Sequence, residues 1–98
     1  MEPTAADVLG VVDVSPRTVG DLGIEIAVVH GADRASAQDQ PVGQWLAGQG
    51  LSLSGLQKVV DGLVHERQVV QVRGRQLWDL ALPTEGTKAN GRYYLRPS

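Results

Sequence analysis

The sequence predicts an α+β fold in which a three-helix core is followed by a C-terminal antiparallel β-hairpin and preceded by an extra N-terminal helix. Apolar residues recur at spacings of three and four up to Arg67, which is typical of helices, and alternate with polar residues after it. The chain has 98 residues, of which 42% are hydrophobic, enough for one modest core. We therefore expect a single domain over residues 1–98.

The first predicted helix spans residues 3–14, with Thr4 as its N-cap. Its apolar positions are Val8, Leu9, Val11 and Val12. Ser15 and Pro16 end the helix, because proline disfavours the α conformation in the residue before it.

A second helix is predicted from Thr18 to about His30, on the helical spacing of Val19, Leu22, Ile26 and Val29. Residues 31–40 are polar and lack periodicity, which predicts a loop. Pro41 suits the first turn of a short third helix over residues 42–48. The sequence Gly48-Gln49-Gly50 then ends that helix, because glycine accepts the left-handed conformation found there.

Residues 52–67 predict one capped amphipathic helix that leads directly into the hairpin. Ser54 with Gln57 three residues later forms one candidate capping box, and Ser52 is the competing N-cap. The apolar stripe consists of Leu53, Leu56, Val59, Val60, Leu63 and Val64. The outward positions are Gln57, Lys58, Asp61 and His65.

The C-terminal third predicts three strands. Val69, Val70 and Val72 indicate the first strand, and Arg73-Gly74-Arg75 a turn. Residues 76–82 are predicted as the second strand, with Trp78, Leu80 and Leu82 on one side. A polar loop over residues 83–91 ends in Asn-Gly and leads to a third strand at residues 92–96.

Charge is divided unevenly along a chain whose net charge is −2. Residues 1–50 hold seven acidic and two basic side chains, a net −5, whereas residues 51–98 hold seven basic and four acidic ones, a net +3. Such asymmetry gives either a local positive face that steers a polyanion or an ordinary solvated surface. Abundant Ala, Gly, Val, Asp and Arg are typical of a GC-rich bacterial genome.

The sequence lacks the residue patterns that are typical of metal sites, enzyme active sites and membrane-spanning segments. The chain has no cysteine, and its two histidines, His30 and His65, fall on different predicted helices, so we expect no metal site. No nucleophile motif or phosphate loop occurs, which predicts no enzymatic activity and no cofactor. The longest apolar run, residues 24–29, is interrupted by Glu25 and too short to cross a bilayer. Without a signal peptide, we expect a cytoplasmic protein with no membrane contact.

The predicted element order resembles the winged helix-turn-helix superfamily over residues 41–96. Pro41-Val-Gly-Gln-Trp-Leu-Ala-Gly-Gln-Gly-Leu-Ser-Leu-Ser-Gly-Leu-Gln-Lys-Val-Val-Asp-Gly-Leu-Val is similar to its two-helix unit, and Gly91-Arg-Tyr-Tyr-Leu to the strand leaving its wing. The resemblance implies a sequence-recognising double-stranded DNA-binding protein, either a small bacterial transcriptional regulator or a replication, partition or transfer accessory factor. The recognition helix 54–66 would enter the major groove, and the wing 83–91 would follow the backbone.

The resemblance also implies which side chains contact DNA. On the recognition helix these are Ser54, Gly55, Gln57 and Lys58. Phosphate contacts would come from Arg73, Arg75, Lys88, Arg92 and Arg96.

Simpler interpretations of the same residues stay open. Ser52 and Ser54 are most simply interpreted as helix caps. Gln57 and Lys58 are equally well interpreted as solvent-facing residues, and the helical glycines Gly55 and Gly62 as sites of helix crossing. The aromatic residues are predicted to lie in the core except for one. Trp45, Trp78 and Tyr93 are expected inside, and Tyr94 is expected to be exposed.

Two predictions concern partners. The helix 3–14 lies outside the predicted winged-helix core, residues 18–96, so its apolar stripe favours a homodimer. The alternative to DNA binding is a winged helix used as a protein-protein interaction or oligomerisation module. Its acidic N-terminal half would then keep the domain off nucleic acid, and Asp61 and Glu66 favour this alternative.

Overall fold

The structure, a computed structural model, describes residues 2–79 and 87–97. It is an α+β fold, as the sequence predicts, with several helices and a two-stranded antiparallel sheet. In chain order the elements are α1 (Ala5–Val11), α2 (Val19–Val29), a 3₁₀ helix (Arg34–Asp39), α3 (Val42–Gly48), α4 (Leu53–His65), β1 (Val70–Arg73), α5 (Gly74–Asp79) and β2 (Arg92–Leu95).

The first two helices begin with the same reciprocal pair of hydrogen bonds. The Thr4 hydroxyl accepts from the backbone N–H of Asp7, and the Asp7 carboxylate accepts from the backbone N–H of Thr4. Thr18 and Asp21 repeat this capping box at the start of α2. Each box satisfies two backbone donors that the helix itself leaves unpaired. The predicted N-cap Thr4 is thus confirmed.

The turn between α3 and α4 depends on Gly50, whose φ is +83°. The backbone N–H of Leu51 donates to the carbonyl of Leu46 at 2.8 Å, and that of Gly50 to the carbonyl of Ala47 at 3.0 Å. These two bonds are the Schellman arrangement that ends helices at a left-handed residue. Leu51 is then buried, which sets where α4 starts.

One apolar core joins α1, α2, α3 and α4. Its largest fully buried side chains include Trp45, Tyr94, Leu22, Ile26, Leu46, Leu51 and Leu56. Val8 and Val12, from the first predicted helix, are buried in the same core. The Val8 and Val12 side of that helix is therefore covered by its own chain, whereas Leu9 from the same predicted stripe is 38% exposed. The homodimer itself stays a prediction.

The sheet gains a third segment from the chain before α2. The backbone N–H of Arg17 donates to the carbonyl of Tyr94 at 3.0 Å, and the N–H of Tyr94 donates back at 2.7 Å. The backbone N–H of Arg96 donates to the carbonyl of Asp13. The predicted helix 3–14 consequently ends at Val11, and residues 13–17 run along β2.

The predicted second strand, residues 76–82, is wrong over its described part. Residues 74–79 form α5 instead, in which Gly74 and Leu77 are buried. Arg73-Gly74-Arg75 is accordingly the end of β1 and the start of this helix rather than a turn. No β-branched residue occurs between residues 74 and 82, so the segment lacks the side chains that favour strands. The rest of the predicted strand and residues 83–86 of the predicted wing lie outside the described residues.

Two predictions about aromatic residues are also wrong. Trp78 was expected in the core but is 49% exposed, whereas Tyr94 was expected outside but is 1% exposed. Trp78 lies outside because α5 replaces the strand that would have turned it inward. Tyr94 lies inside because its side of β2 faces the helical core. The prediction that Trp45 and Tyr93 are buried is confirmed.

Candidate nucleic-acid interface

The N-terminal half of α4 presents a short polar surface. Ser52 is the N-cap, since its hydroxyl accepts from the backbone N–H of Gly55 at 3.2 Å, so the alternative cap at Ser54 is wrong. Ser54 is exposed, and its hydroxyl lies 2.8 Å from that of Ser52. Lys58 is exposed four residues later, on the same side of the helix. Ser54 and Lys58 are therefore open to a ligand.

Gln57 is half-buried and held by two hydrogen bonds. Its side-chain NH₂ group donates to the carboxylate of Asp61 at 2.8 Å and to the hydroxyl of Tyr94 at 3.0 Å. Recognition of adenine by glutamine needs one amide donor and one acceptor. Because both donors of Gln57 are engaged, its amide must give up an internal bond to contact a base in that way.

The two glycines of α4 have no packing role. A Cβ atom at Gly55 would meet only the Ser52 side chain, at 3.7 Å, which is an ordinary contact. A Cβ atom at Gly62 would meet nothing within 4 Å. Helix crossing therefore does not explain either glycine, although each weakens the helix relative to alanine.

Four cations lie together where α5 and the segment before β2 meet the sheet, and we refer to them as the basic cluster: Arg73, Arg75, Lys88 and Arg92. All four are exposed. Arg73 and Arg92 are paired directly across β1 and β2, which places their side chains on the same face. Like charges in that position repel each other, so an anion bound between them would relieve the repulsion.

A close backbone approach brings Arg75 and Lys88 into this cluster. A Cβ atom at Gly74 would collide with the carbonyl of Lys88, so only glycine fits there. The backbone N–H of Arg75 donates to the carbonyl of Ala89 at 3.1 Å, and the hydroxyl of Tyr93 accepts from the N–H of Lys88 at 2.8 Å. A groove of about 240 Å³ results, lined by Arg73, Arg75, Gln76, Ala89 and Asn90.

Arg96 does not belong to the basic cluster. Its guanidinium donates to the carbonyl of Val12 at 3.1 Å, and it lies past the opposite end of β2 from Arg92. Four residues of extended chain separate these two arginines by about 13 Å. The structure thus brings together four of the five predicted phosphate-contacting residues.

Tyr94 connects the surface of α4 with the strand that carries Arg92. Its hydroxyl accepts from Gln57, as described above, while its backbone is part of β2. Alternate residues of a strand share a face, so Arg92 lies on the same side of β2 as Tyr94. The polar start of α4 and half of the basic cluster therefore flank one face of the sheet.

The described arginines of the N-terminal half have a carboxylate partner. Glu25 accepts from Arg34 at 2.6 Å and lies 3.5 Å from Arg17. Among the carboxylates of residues 2–79 and 87–97, none lies within ion-pair distance of a member of the basic cluster. The positive charge available to a ligand is accordingly concentrated in the C-terminal half.

Histidine and carboxylate side chains form one notable pair, at the start of α1. The Nε2 atom of His30 lies 3.2 Å from the carboxylate of Asp7. The backbone N–H of Thr4, and then His30, hold the pKa of Asp7 below its ordinary value. Within the described part of the chain, no group of three His, Asp or Glu residues is placed to hold a metal ion.

Trp78 is a candidate site residue that the sequence interpretation missed. It is exposed on α5, and its indole N–H donates to the Thr87 hydroxyl at 3.0 Å. Interpreting residues 74–79 as a helix would have placed Gly74 and Leu77 on one face and Arg75 and Trp78 on the other. The absence of β-branched residues was the available indication.

Among the residues that the structure describes, no helix has the length and apolar character needed to cross a membrane. Comparison of the chain with protein-family models, with curated proteins and with solved structures finds no significant match in any of the three.

Proposed function

We propose that this chain is a winged helix-turn-helix protein that recognises double-stranded DNA in the cytoplasm of a bacterium. The N-terminal half of α4 would enter the major groove while the basic cluster contacts phosphates. The role that fits such a module is a small transcriptional regulator or a replication, partition or transfer accessory factor, without enzymatic activity. The observation that carries the proposal is the hydrogen bond from Gln57 to Tyr94, which joins α4 to the strand that carries Arg92 and its cross-strand neighbour Arg73.

The backbone arrangement supports the winged-helix assignment. The α3–α4 pair with its tight Gly50 turn precedes an antiparallel β1–β2 pair, and residue 17 adds a second backbone partner to β2, beside β1. The helix α5 between the strands departs from a simple hairpin wing. It carries Arg75 outward, so it adds to the basic surface rather than covering it.

The chemistry divides between α4 and the basic cluster. Ser54 and Lys58 are exposed and would reach base edges, and Gly55 would let the backbone approach closely. The basic cluster supplies contacts to phosphates, which position the protein without reading sequence. With Lys58 included, five cations would release counterions. A plot of the logarithm of the affinity against the logarithm of the salt concentration should therefore have a slope of about −4.5.

A protein-interaction module is the second candidate, because Gln57 and Asp61 are bonded to each other on the proposed recognition surface. An engaged amide and a carboxylate are less suited to DNA than to a polar protein partner. This alternative predicts no duplex affinity even at about 50 mM salt.

Fluorescence anisotropy with a labelled random duplex, at about 50 and 200 mM salt, tests the proposal. Lys58→Ala and Arg92→Ala should each weaken binding without changing the unfolding midpoint. Arg34→Ala is the matched control, because it removes a cation whose partner is Glu25. Unchanged affinity in both of the first two variants would refute the orientation. A light-scattering mass in the same buffer tests the homodimer.

A further inference from the structure

Trp78 is far more exposed than the other aromatic side chains that the structure describes. The other aromatic side chains of the described chain, Trp45, Tyr93 and Tyr94, are all at most 7% exposed, whereas Trp78 is 49% exposed. Its polar edge is already satisfied, since the indole N–H donates to Thr87 at 3.0 Å. That bond also restrains the ring. What the indole offers to solvent is therefore apolar ring surface in a fixed orientation.

Two exposed cations neighbour Trp78 or its hydrogen-bond partner Thr87 among the described residues. Arg75 lies one helical turn before Trp78 on the same face of α5. Lys88 follows Thr87, the residue that accepts from the indole. The acidic residue of α5 is Asp79, which is exposed next to Trp78. An aromatic face bordered by exposed cations is the surface that binds unpaired nucleobases, which stack on the ring while their phosphates meet the charges.

We propose that Trp78, with Arg75 and Lys88, forms a stacking site for an unpaired nucleobase, so that the protein binds duplex with a single-stranded extension more tightly than blunt duplex. This inference rests on the proposed function, because the duplex would occupy α4 and the rest of the basic cluster. Stacking of one base on an exposed aromatic side chain corresponds to roughly fivefold to a hundredfold in affinity.

The two tryptophans make the test specific. Trp45 is 2% exposed, and its indole N–H donates to Ser36 at 2.8 Å, so added oligonucleotide cannot stack on it. Quenching of tryptophan fluorescence would then report Trp78. Three probes are titrated: a blunt duplex, the same duplex with an extension of about ten thymidines, and the thymidine strand alone.

Variants separate stacking from folding and from charge. Trp78→Leu keeps an apolar side chain but removes the aromatic face, and Trp78→Phe keeps a face for the base. We expect at least a fivefold preference for the extended duplex in the wild type and in Trp78→Phe, and none in Trp78→Leu. Affinity for the blunt duplex should be the same in all three proteins. Arg75→Ala should reduce the preference while leaving the fluorescence of the free protein unchanged.

The outcomes of these titrations test the stacking site and the proposed duplex binding separately. Binding to both duplexes with equal affinity and no quenching would overturn the stacking site and leave the proposed function standing. Quenching by the thymidine strand without affinity for either duplex would support the stacking site and overturn duplex binding. No binding to any probe would overturn both. Concentration-dependent quenching without nucleic acid, accompanied by a doubled mass, would show that Trp78 contacts a second copy and would overturn the site.

Discussion

Replacing the two α4 glycines by alanine separates a packing role from a docking role. A Cβ atom at Gly62 enters open space, and one at Gly55 meets the Ser52 side chain only at an ordinary 3.7 Å. Neither glycine has positive φ, since among the described glycines only Gly31 and Gly50 do. Alanine is favoured over glycine by about 1 kcal/mol inside a helix. Gly62→Ala should therefore stabilise the protein by roughly that amount.

Gly55→Ala should give a smaller gain, about 0.5 kcal/mol, because Gly55 lies in the first turn, where helix propensity counts less. Thermal unfolding followed by circular dichroism measures both gains, and for a domain of this length 1 kcal/mol corresponds to about 4 °C in Tm. Duplex affinity is measured on the same samples. If Gly55 allows close approach to DNA, Gly55→Ala weakens binding several-fold while Gly62→Ala leaves it unchanged.

This pair of results can refute the reasoning in two ways. Destabilisation of the protein by Gly62→Ala would mean that the surroundings of α4 are not as described. Stabilisation by Gly55→Ala with unaltered duplex affinity would mean that the start of α4 does not approach DNA closely, and the recognition surface would have to be moved elsewhere.

Three further perturbations test the fold. Leu63→Ala removes a buried α4 side chain and should lower the free energy of unfolding, measured with urea, by about 2–5 kcal/mol. Gly74→Ala should also destabilise, because its methyl group collides with the backbone facing α5; an unchanged urea midpoint would disprove that contact. The carboxylate of Asp7, whose pKa is lowered by the Thr4 backbone and His30, stabilises the fold above about pH 4 and loses that contribution as the pH falls through the lowered pKa. Asp7→Asn should therefore reduce the loss of stability at acid pH, and identical acid profiles would contradict it.

Helix positions were predictable where sequence periodicity and end residues agreed. Thr4 and Thr18 each precede an aspartate by three residues, and both form the capping boxes that start α1 and α2. The short α3 and its Gly50 turn also lie where the sequence places them. At these positions the structure depends on local chemistry alone, so a single sequence contains the information.

Long-range contacts decided the positions that the sequence did not reveal. Residue 17 joins β2 through hydrogen bonds to Tyr94, and nothing near Arg17 in the sequence indicates that partner. The burial of Tyr94 depends on which side of the strand meets the helices. Gln57 falls on the outward side of α4 by spacing, yet it donates to the hydroxyl of Tyr94, on the side of β2 that faces the helices. The sequence therefore indicated the four residues of the basic cluster together with Arg96, which lies apart from them, but it missed both the restraint on Gln57 and the exposure of Trp78.

Two-dimensional amide NMR of the full chain with unlabelled duplex tests the central claim most directly. The account predicts that the largest shifts on adding a short duplex fall on residues 54–58 of α4 and on residues 73–75 and 88–92, as one continuous surface, and that they shrink as salt is raised. Shifts confined to α1 and the 3₁₀ helix, or no shifts at low salt, would contradict it.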